Sequence, residues 1–174
     1  MPIIRFCFSI FLAGLICFQL QITPVFAASA AAIRAENNID TSSKDFAGKD
    51  LQMAEFNDAH LDGVDFTNAQ MQGAVFDNVT MTEANFKDVN MSDGMAYRSD
   101  FSGARFENTI FIDAMLLKSF FTGAVATNTD FTDAALDKDQ IIELCKNASG
   151  TNPVTKVDTR ESLGCAYISE VKYQ

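Results

Sequence analysis

A period of five governs most of this chain, and few folds accept one. From Lys44 the sequence divides without insertion into blocks of five, KDFAG, KDLQM, AEFND, AHLDG and onward, until AALDK closes at Lys138. That makes 19 blocks over 95 residues, and the third residue is Phe, Leu or Met in 17 of them, failing only at Ala96 and Ala126. Amphipathic helices repeat their apolar positions every ~3.6 residues and half-buried strands every second residue, so neither accounts for the pattern. Position one is small in every block after the first two, position three is large and apolar in 17 of the 19, and position five is often Gly, Asn or Asp, which tolerate tight turns. Short extended pieces broken at a corner every five residues would coil and each deliver one side chain inward. Stacked coils would then bury continuous columns, as solenoids do.

Blocks such as Ala54-Glu55-Phe56-Asn57-Asp58 and Ala84-Asn85-Phe86-Lys87-Asp88 resemble, residue by residue, the Ala-(Asp/Asn)-(Leu/Phe)-X-X unit of the pentapeptide repeat family. The resemblance spans residues 44–138. It implies an all-β solenoid, a right-handed quadrilateral β-helix with four blocks per coil. Nineteen blocks make a little under five coils, a rod ~23 Å long at a strand spacing of ~4.8 Å. One column should hold Phe46, Phe66, Phe86, Phe106 and Ala126, and the next Leu51, Met71, Met91, Phe111 and Phe131. The third should hold Phe56, Phe76, Ala96, Leu116 and Leu136, and the fourth Leu61, Met81, Phe101 and Phe121. Ala96 and Ala126 are expected to leave their columns underfilled.

The ends carry different signals. Arg5, the apolar run Phe6 to Leu20 and the small residues around Val25-Phe26-Ala27 make 1–27 read as an export signal. A retained anchor is the alternative, since Phe6 to Ile22 approaches spanning length. Gln19, Gln21, Pro24 and the Ala-rich exit favour cleavage, after which no stable membrane insertion is expected. Residues 28–43 read as a lead and N-terminal cap, and 139–174 as a disulfide-stapled helical C-terminal cap and tail. In that tail Ile141, Ile142 and Leu144 follow an acidic first turn at helical spacing, predicting a short α-helix that ends near Cys145. Asn147 to Pro153 reads as a loop and Asp158 to Cys165 as a second short helix. Cys7 and Cys17 leave with the signal, and an even pair of cysteines, Cys145 and Cys165, in an exported chain reads as a disulfide. Closing a loop of roughly 20 residues contributes ~3 kcal/mol in the chain-entropy description. A reducible switch is the alternative. The tail is similar to those of thylakoid-lumen pentapeptide repeat proteins. With the short bacterial-type signal, this implies a cyanobacterial thylakoid lumen, or otherwise a periplasm.

Net charge is −10, and loss of Arg5 with the signal makes it −11 (12 basic against 23 acidic residues). That balance opposes binding to nucleic acid or anionic lipid, both of which need basic surface. His60, the single histidine, falls at an outward position between Asp58 and Asp62, and no other His or Cys can converge on it as a ligand. The Gly-rich nonapeptides of calcium-binding repeats, nucleophile triads, phosphate loops and dinucleotide fingerprints are all missing. No enzyme activity, cofactor, metal or small-molecule substrate is expected. The unusual feature is apolar residues at outward positions two and four: Met95, Tyr97, Ile110, Ile112, Met115, Leu117, Phe120 and Val125. A contiguous exposed apolar patch marks an interaction site, unless the tail folds back over these coils. The expected function is therefore a non-enzymatic interaction or scaffold protein with an unknown protein partner. Two alternatives stand beside it. The family resemblance also brings DNA-mimicking gyrase binders, which the acidic charge fits and the export signal opposes. A redox-responsive lumenal protein would use Cys145 and Cys165, although their spacing is not that of a C-x-x-C dithiol.

Overall fold

The second residue of each block pairs with its equivalent twenty residues on, so four blocks complete a coil. The computed structural model describes residues 44–170, with the backbone alone at Ser169 and Glu170. The expected signal and lead lie outside the described residues. Parallel bridges link Asp45 to Asp65, Asn85 and Arg105 in turn, and likewise Asp50 to Gln70, Asn90, Ile110 and Asp130. A third series runs His60, Thr80, Asp100, Phe120. Where the extended piece lengthens to three residues it becomes a strand. β1 (Glu55–Asn57), β2 (Val75–Asp77) and β3 (Met95–Tyr97) form one parallel sheet. β4 (Arg105–Glu107), β5 (Val125–Thr127) and β6 (Ala148–Ser149) form another on a different side of the coil.

Corners are set by position five. It lies in the left-handed region at every block from Gly48 (φ 65°) to Asp133 (φ 56°). Gly, Asn and Asp adopt that region at least cost, yet Met53, Glu83, Arg98 and Lys118 are held there too. Position-two carboxylates and amides brace the corners: Asp65 Oδ1 accepts the Thr67 N–H at 2.9 Å, and Asn90 and Asp100 do the same for Ser92 and Ser102. At tight corners the next block's N–H returns to the column residue, as in Ala69 N–H to Phe66 O at 2.8 Å. After β2 and β3 a hydroxyl replaces that bond. Val79 N–H donates to Ser99 Oγ at 3.2 Å, and Ser99 N–H to Ser119 Oγ at 3.1 Å, all fully or nearly buried.

The four columns form as their spacing requires. Every large position-three residue from Phe46 to Phe131 is buried, while Leu136 in the last block is half-buried. Phe56 stacks on Phe76 with centroids 4.7 Å apart and planes 2° from parallel. Phe66 and Phe86 lie 5.0 Å apart, Phe101 and Phe121 also 5.0 Å. Burying each such ring contributes ~1.5–3 kcal/mol. Ala96 and Ala126 are wholly buried too, and Ala148 from the tail lies over Ala126 in register.

The C-terminal segment departs from the sequence expectations in detail. α1 (Lys138–Asn147) runs two residues beyond Cys145, with the Asp137 N–H donating to Gln140 Oε1 at its start. The stretch expected as a loop, 147–153, contains β6, which adds a rung to the sheet of β4 and β5 through Asn128 N–H to Ser149 O at 2.7 Å. Gly150 follows at φ 83°, where a side chain is strained, and a Cβ there would fall 2.0 Å from Asn128 Oδ1 and displace that amide. The second expected helix is two pieces, α2 (Thr159–Ser162) and α3 (Cys165–Glu170), divided at Gly164 (φ 66°). Asp158 caps α2 by accepting the N–H groups of Arg160 and Glu161. Cys145 and Cys165 form a disulfide joining α1 to the start of α3. Leu144 and Leu163 enter the same core as the columns.

Candidate interaction surface

The β1–β3 side of the coil carries two outward columns. Position two reads Glu55, Val75, Met95, Met115, Ala135, and position four reads Asn57, Asp77, Tyr97, Leu117, Asp137. The apolar middle is open to solvent: Met95 is 37% exposed, Tyr97 39% and Met115 42%, while Val75 and Leu117 are half-buried. Met95 and Met115 are direct bridge partners, which makes the strip continuous. An acidic corner, Asp93, Asp113 and Asp133, borders the methionine side. A basic corner, Arg98 and Lys118, borders the Tyr97 side. The Arg98 guanidinium reaches Asp77 at 2.9 Å and lies 5.1 Å from the Tyr97 ring centroid. Lys118 Nζ stands 3.5 Å from Asp137, whose other oxygen accepts the Lys118 N–H at 2.8 Å.

The seven candidate patch residues, Met95, Tyr97, Ile110, Ile112, Met115, Leu117 and Phe120, fall on three sides of the coil, with Ile110 and Ile112 on a neighbouring side as the twenty-residue coil predicts. Ile110 is not exposed: it is 9% accessible, next to the backbone that the tail engages at Thr109. It sits in the column of Asn90 and Asp130, beside the point where the Asn152 side chain donates to Thr109 O and Asn128 O at 3.2 and 2.9 Å. Ile112 on the same side is half-buried. Phe120, 61% exposed, lies on the His60 side at the rim of a groove shared with Lys118, Thr122, Asp137 and Glu143. Val125, 41% exposed, belongs to β5. Met95, Tyr97, Met115 and Leu117 are the members that come together.

The tail thus covers a different surface from this strip. Thr159 Oγ1 accepts the buried Thr129 N–H at 2.8 Å, and Ser162 Oγ accepts the Phe131 N–H at 3.1 Å. Gln140 Nε2 donates to Leu116 O and Ser119 O, both at 2.7 Å. Asp130 is wholly buried as a result, although its position is outward in the repeat. None of these tail contacts has a sequence period. Their only signal is polar residues, Asn152, Thr159 and Ser162, in a segment that must meet the top coil.

Elsewhere the surface is solvated. His60 is exposed and its Nδ1 lies 3.1 Å from Thr80 Oγ1. The Thr67 hydroxyl and N–H, with Asn85, hold the Asp65 carboxyl below its ordinary value of 3.8. Burial opposes the same effect at Asp62, but hydrogen bonds from Thr82 and Thr80 outweigh it. Among the described residues no group of three or more His, Cys, Asp or Glu side chains could hold a metal ion. Among them also, no helix is long and apolar enough to cross a membrane.

Eight copies of the pentapeptide repeat match residues 50–93 and 99–138. The chain belongs to the pentapeptide repeat family, and membership implies the right-handed quadrilateral β-helix whose four-block coil is described above. Proteins of this family are in general structural or interaction proteins. Among solved structures, the chain is similar to a pentapeptide repeat protein from the thylakoid lumen of Arabidopsis thaliana, at 30% identity over 69% of this chain and 90% of that one (TM-score 0.28). It is also similar to a pentapeptide repeat protein from the cyanobacterium Cyanothece 51142, at 18% identity over 49% of this chain (TM-score 0.46). The match spans 62% of that protein's length. A plasmid-mediated fluoroquinolone resistance protein matches at 18% identity over 72% of this chain and 66% of its own (TM-score 0.28). No curated protein sequence matches significantly.

Proposed function

We propose that this protein is an exported, non-enzymatic interaction or scaffold protein of the thylakoid lumen, or alternatively the periplasm, with α1–α3 capping the solenoid. The observation that carries the reading is the exposed strip of Met95, Tyr97, Met115 and Leu117 on a solenoid whose other outward columns are mostly polar. An apolar strip bordered by charge is the composition of a protein-binding surface. Export is supported by the character of residues 1–27 and by the disulfide, which persists in oxidising compartments. The likeness to a lumenal protein of Arabidopsis agrees with the lumen. Absence of nucleic-acid binding rests on net charge alone.

The test is a Met115→Glu/Leu117→Glu double variant, assayed by crosslinking capture from native membranes and by thermal melting. Loss of the captured partner with an unchanged melt is the expected outcome, because these side chains stay outside the columns. Unchanged capture would remove the strip as the interface. Inhibition of gyrase by the purified protein would replace this reading with the DNA-mimic one.

A further inference from the structure

The two charged corners flank the same apolar strip on opposite sides, and this arrangement selects a partner. We propose that the strip docks against the identical strip of a second copy of this chain, forming a side-by-side dimer whose two-fold axis runs parallel to the solenoid. The proposal rests on the reading of that side as a protein interface and names its occupant.

The geometry follows from symmetry. Across the strip the order is acidic corner, methionine column, Tyr97/Leu117 column, basic corner. Two copies meeting face to face about an in-plane two-fold axis can place that axis along the solenoid or across it. An axis across the solenoid sets acidic corner against acidic corner and basic against basic. An axis along it exchanges left and right while keeping height, so each acidic corner meets the partner's basic corner. Asp113 and Lys118 end the same block-width of coil at nearly the same height, so Asp113 of one copy stands opposite Lys118 of the other. Asp93 and Arg98 are related in the same way. The same operation lays the methionine column over the partner's Tyr97/Leu117 column, a pairing that thioether–aromatic contact favours. Charge complementarity therefore fixes orientation while apolar burial drives association.

The intrachain pairs set the strength. Arg98 and Lys118 already face Asp77 and Asp137 on the strip itself, so each cation would share its charge between its own and the partner's carboxylates. The surface is also narrow. About four extended residues span one side at ~3.3 Å each, and five coils rise ~24 Å, giving roughly 300 Å² against the ~800 Å² per partner of a standard interface. Association should accordingly be weak and reversible, with a dissociation constant in the upper micromolar range, and it should weaken further with added salt.

Sedimentation velocity of the protein from micromolar to near-millimolar concentration tests this, with a thermal melt of every variant. Wild type should pass from monomer to dimer. Asp113→Lys and Lys118→Asp should each weaken the dimer by at least ~10-fold, since like charges then meet twice across the two-fold. Combining them should restore association to near the wild-type level. Both substitutions use residue types that the left-handed corner already holds, at Lys118 (φ 61°) and Asp113 (φ 56°). Rescue by the double variant cannot arise from a folding defect. A protein monomeric throughout, or a charge swap that fails to rescue, overturns the second-copy proposal. In that event loss of capture by Met115→Glu/Leu117→Glu would leave the broader interface reading intact. If that variant alters neither self-association nor capture, both readings fall.

Discussion

The coils and the C-terminal segment are held by opposite kinds of interaction. From Phe46 to Phe131 every rung repeats the same solution: a column side chain inward, a backbone bond to the next coil, a left-handed corner. From α1 onward only β6 continues that solution, as one further rung on β5. The segment is held by single side chains reaching backbone groups of the top coil, chiefly Gln140, Asn152, Thr159 and Ser162, and by one disulfide. A repeated solution spreads its stabilisation over many equivalent positions. A set of unique contacts concentrates it, so individual losses in the tail should be felt locally, as expected of quasi-one-dimensional solenoids.

The sharpest test of that contrast is Phe86→Ala. The ring lies 5.0 Å from Phe66, 5.3 Å from Phe106 and 5.7 Å from Phe101, in mid-column. Its loss should cost ~3–5 kcal/mol by denaturant titration, and hydrogen exchange should rise in the coils on both sides of the site. Reduction of Cys145–Cys165 comes next, at up to ~3 kcal/mol if the entropy of a loop of this size is released in full. Exchange should then rise in α1 and α3 while the lower coils keep their protection. Faster exchange throughout the solenoid on reduction would mean that the tail and coils form one cooperative unit. Thr159→Val should cost ~1–3 kcal/mol, because the buried Thr129 N–H loses its acceptor. Thr159→Ser retains the hydroxyl and should recover most of the loss.

The smallest expected effect is in the pH dependence of the coils. Asp65 is held below its ordinary value by Thr67 and Asn85 when folded. A lowered folded pKa contributes stability that is complete above the unfolded value and is lost as pH falls through the folded one. Thermal melts taken from about pH 5 downward should therefore fall, and Asp65→Asn should fall less steeply over that window. Parallel curves for the two proteins would dismiss the bracing role of that carboxylate.

How much of this was legible in the sequence follows from the same contrast. Phe, Leu and Met at the third position of 17 of the 19 blocks specify the columns, because the period itself states which residues stack. Position five was readable wherever it held Gly, Asn or Asp, but not at Met53, Glu83, Arg98 or Lys118, which the neighbouring coils force into the left-handed region. The stacking of Met115 on Met95 and of Leu117 on Tyr97, with Ile110 and Ile112 on the neighbouring side, is readable from a twenty-residue coil, but which of these residues lie near the docked tail is not. Ile110 is buried beside Thr109, where the tail docks through hydrogen bonds with no periodic signature. The short strand β6 was hidden for the same reason: Ala148 and Ser149 carry no block around them, and only Ala126 beneath gives them a place to pair.

The bridges at twenty-residue intervals also quantise the length of this molecule. Removing one block, such as 99–103, would leave the period intact but turn everything downstream by a quarter revolution. Met115 would then stand three blocks from Met95 rather than four, on a neighbouring side, and the strip would be severed without any side chain being changed. Removing four consecutive blocks would shorten the rod and keep every downstream side in alignment. Change in this architecture therefore comes in two currencies, whole revolutions that alter reach and partial ones that rewire the surface. A five-residue deletion that kept β-type circular dichroism and lost strip-dependent association would show the second at work.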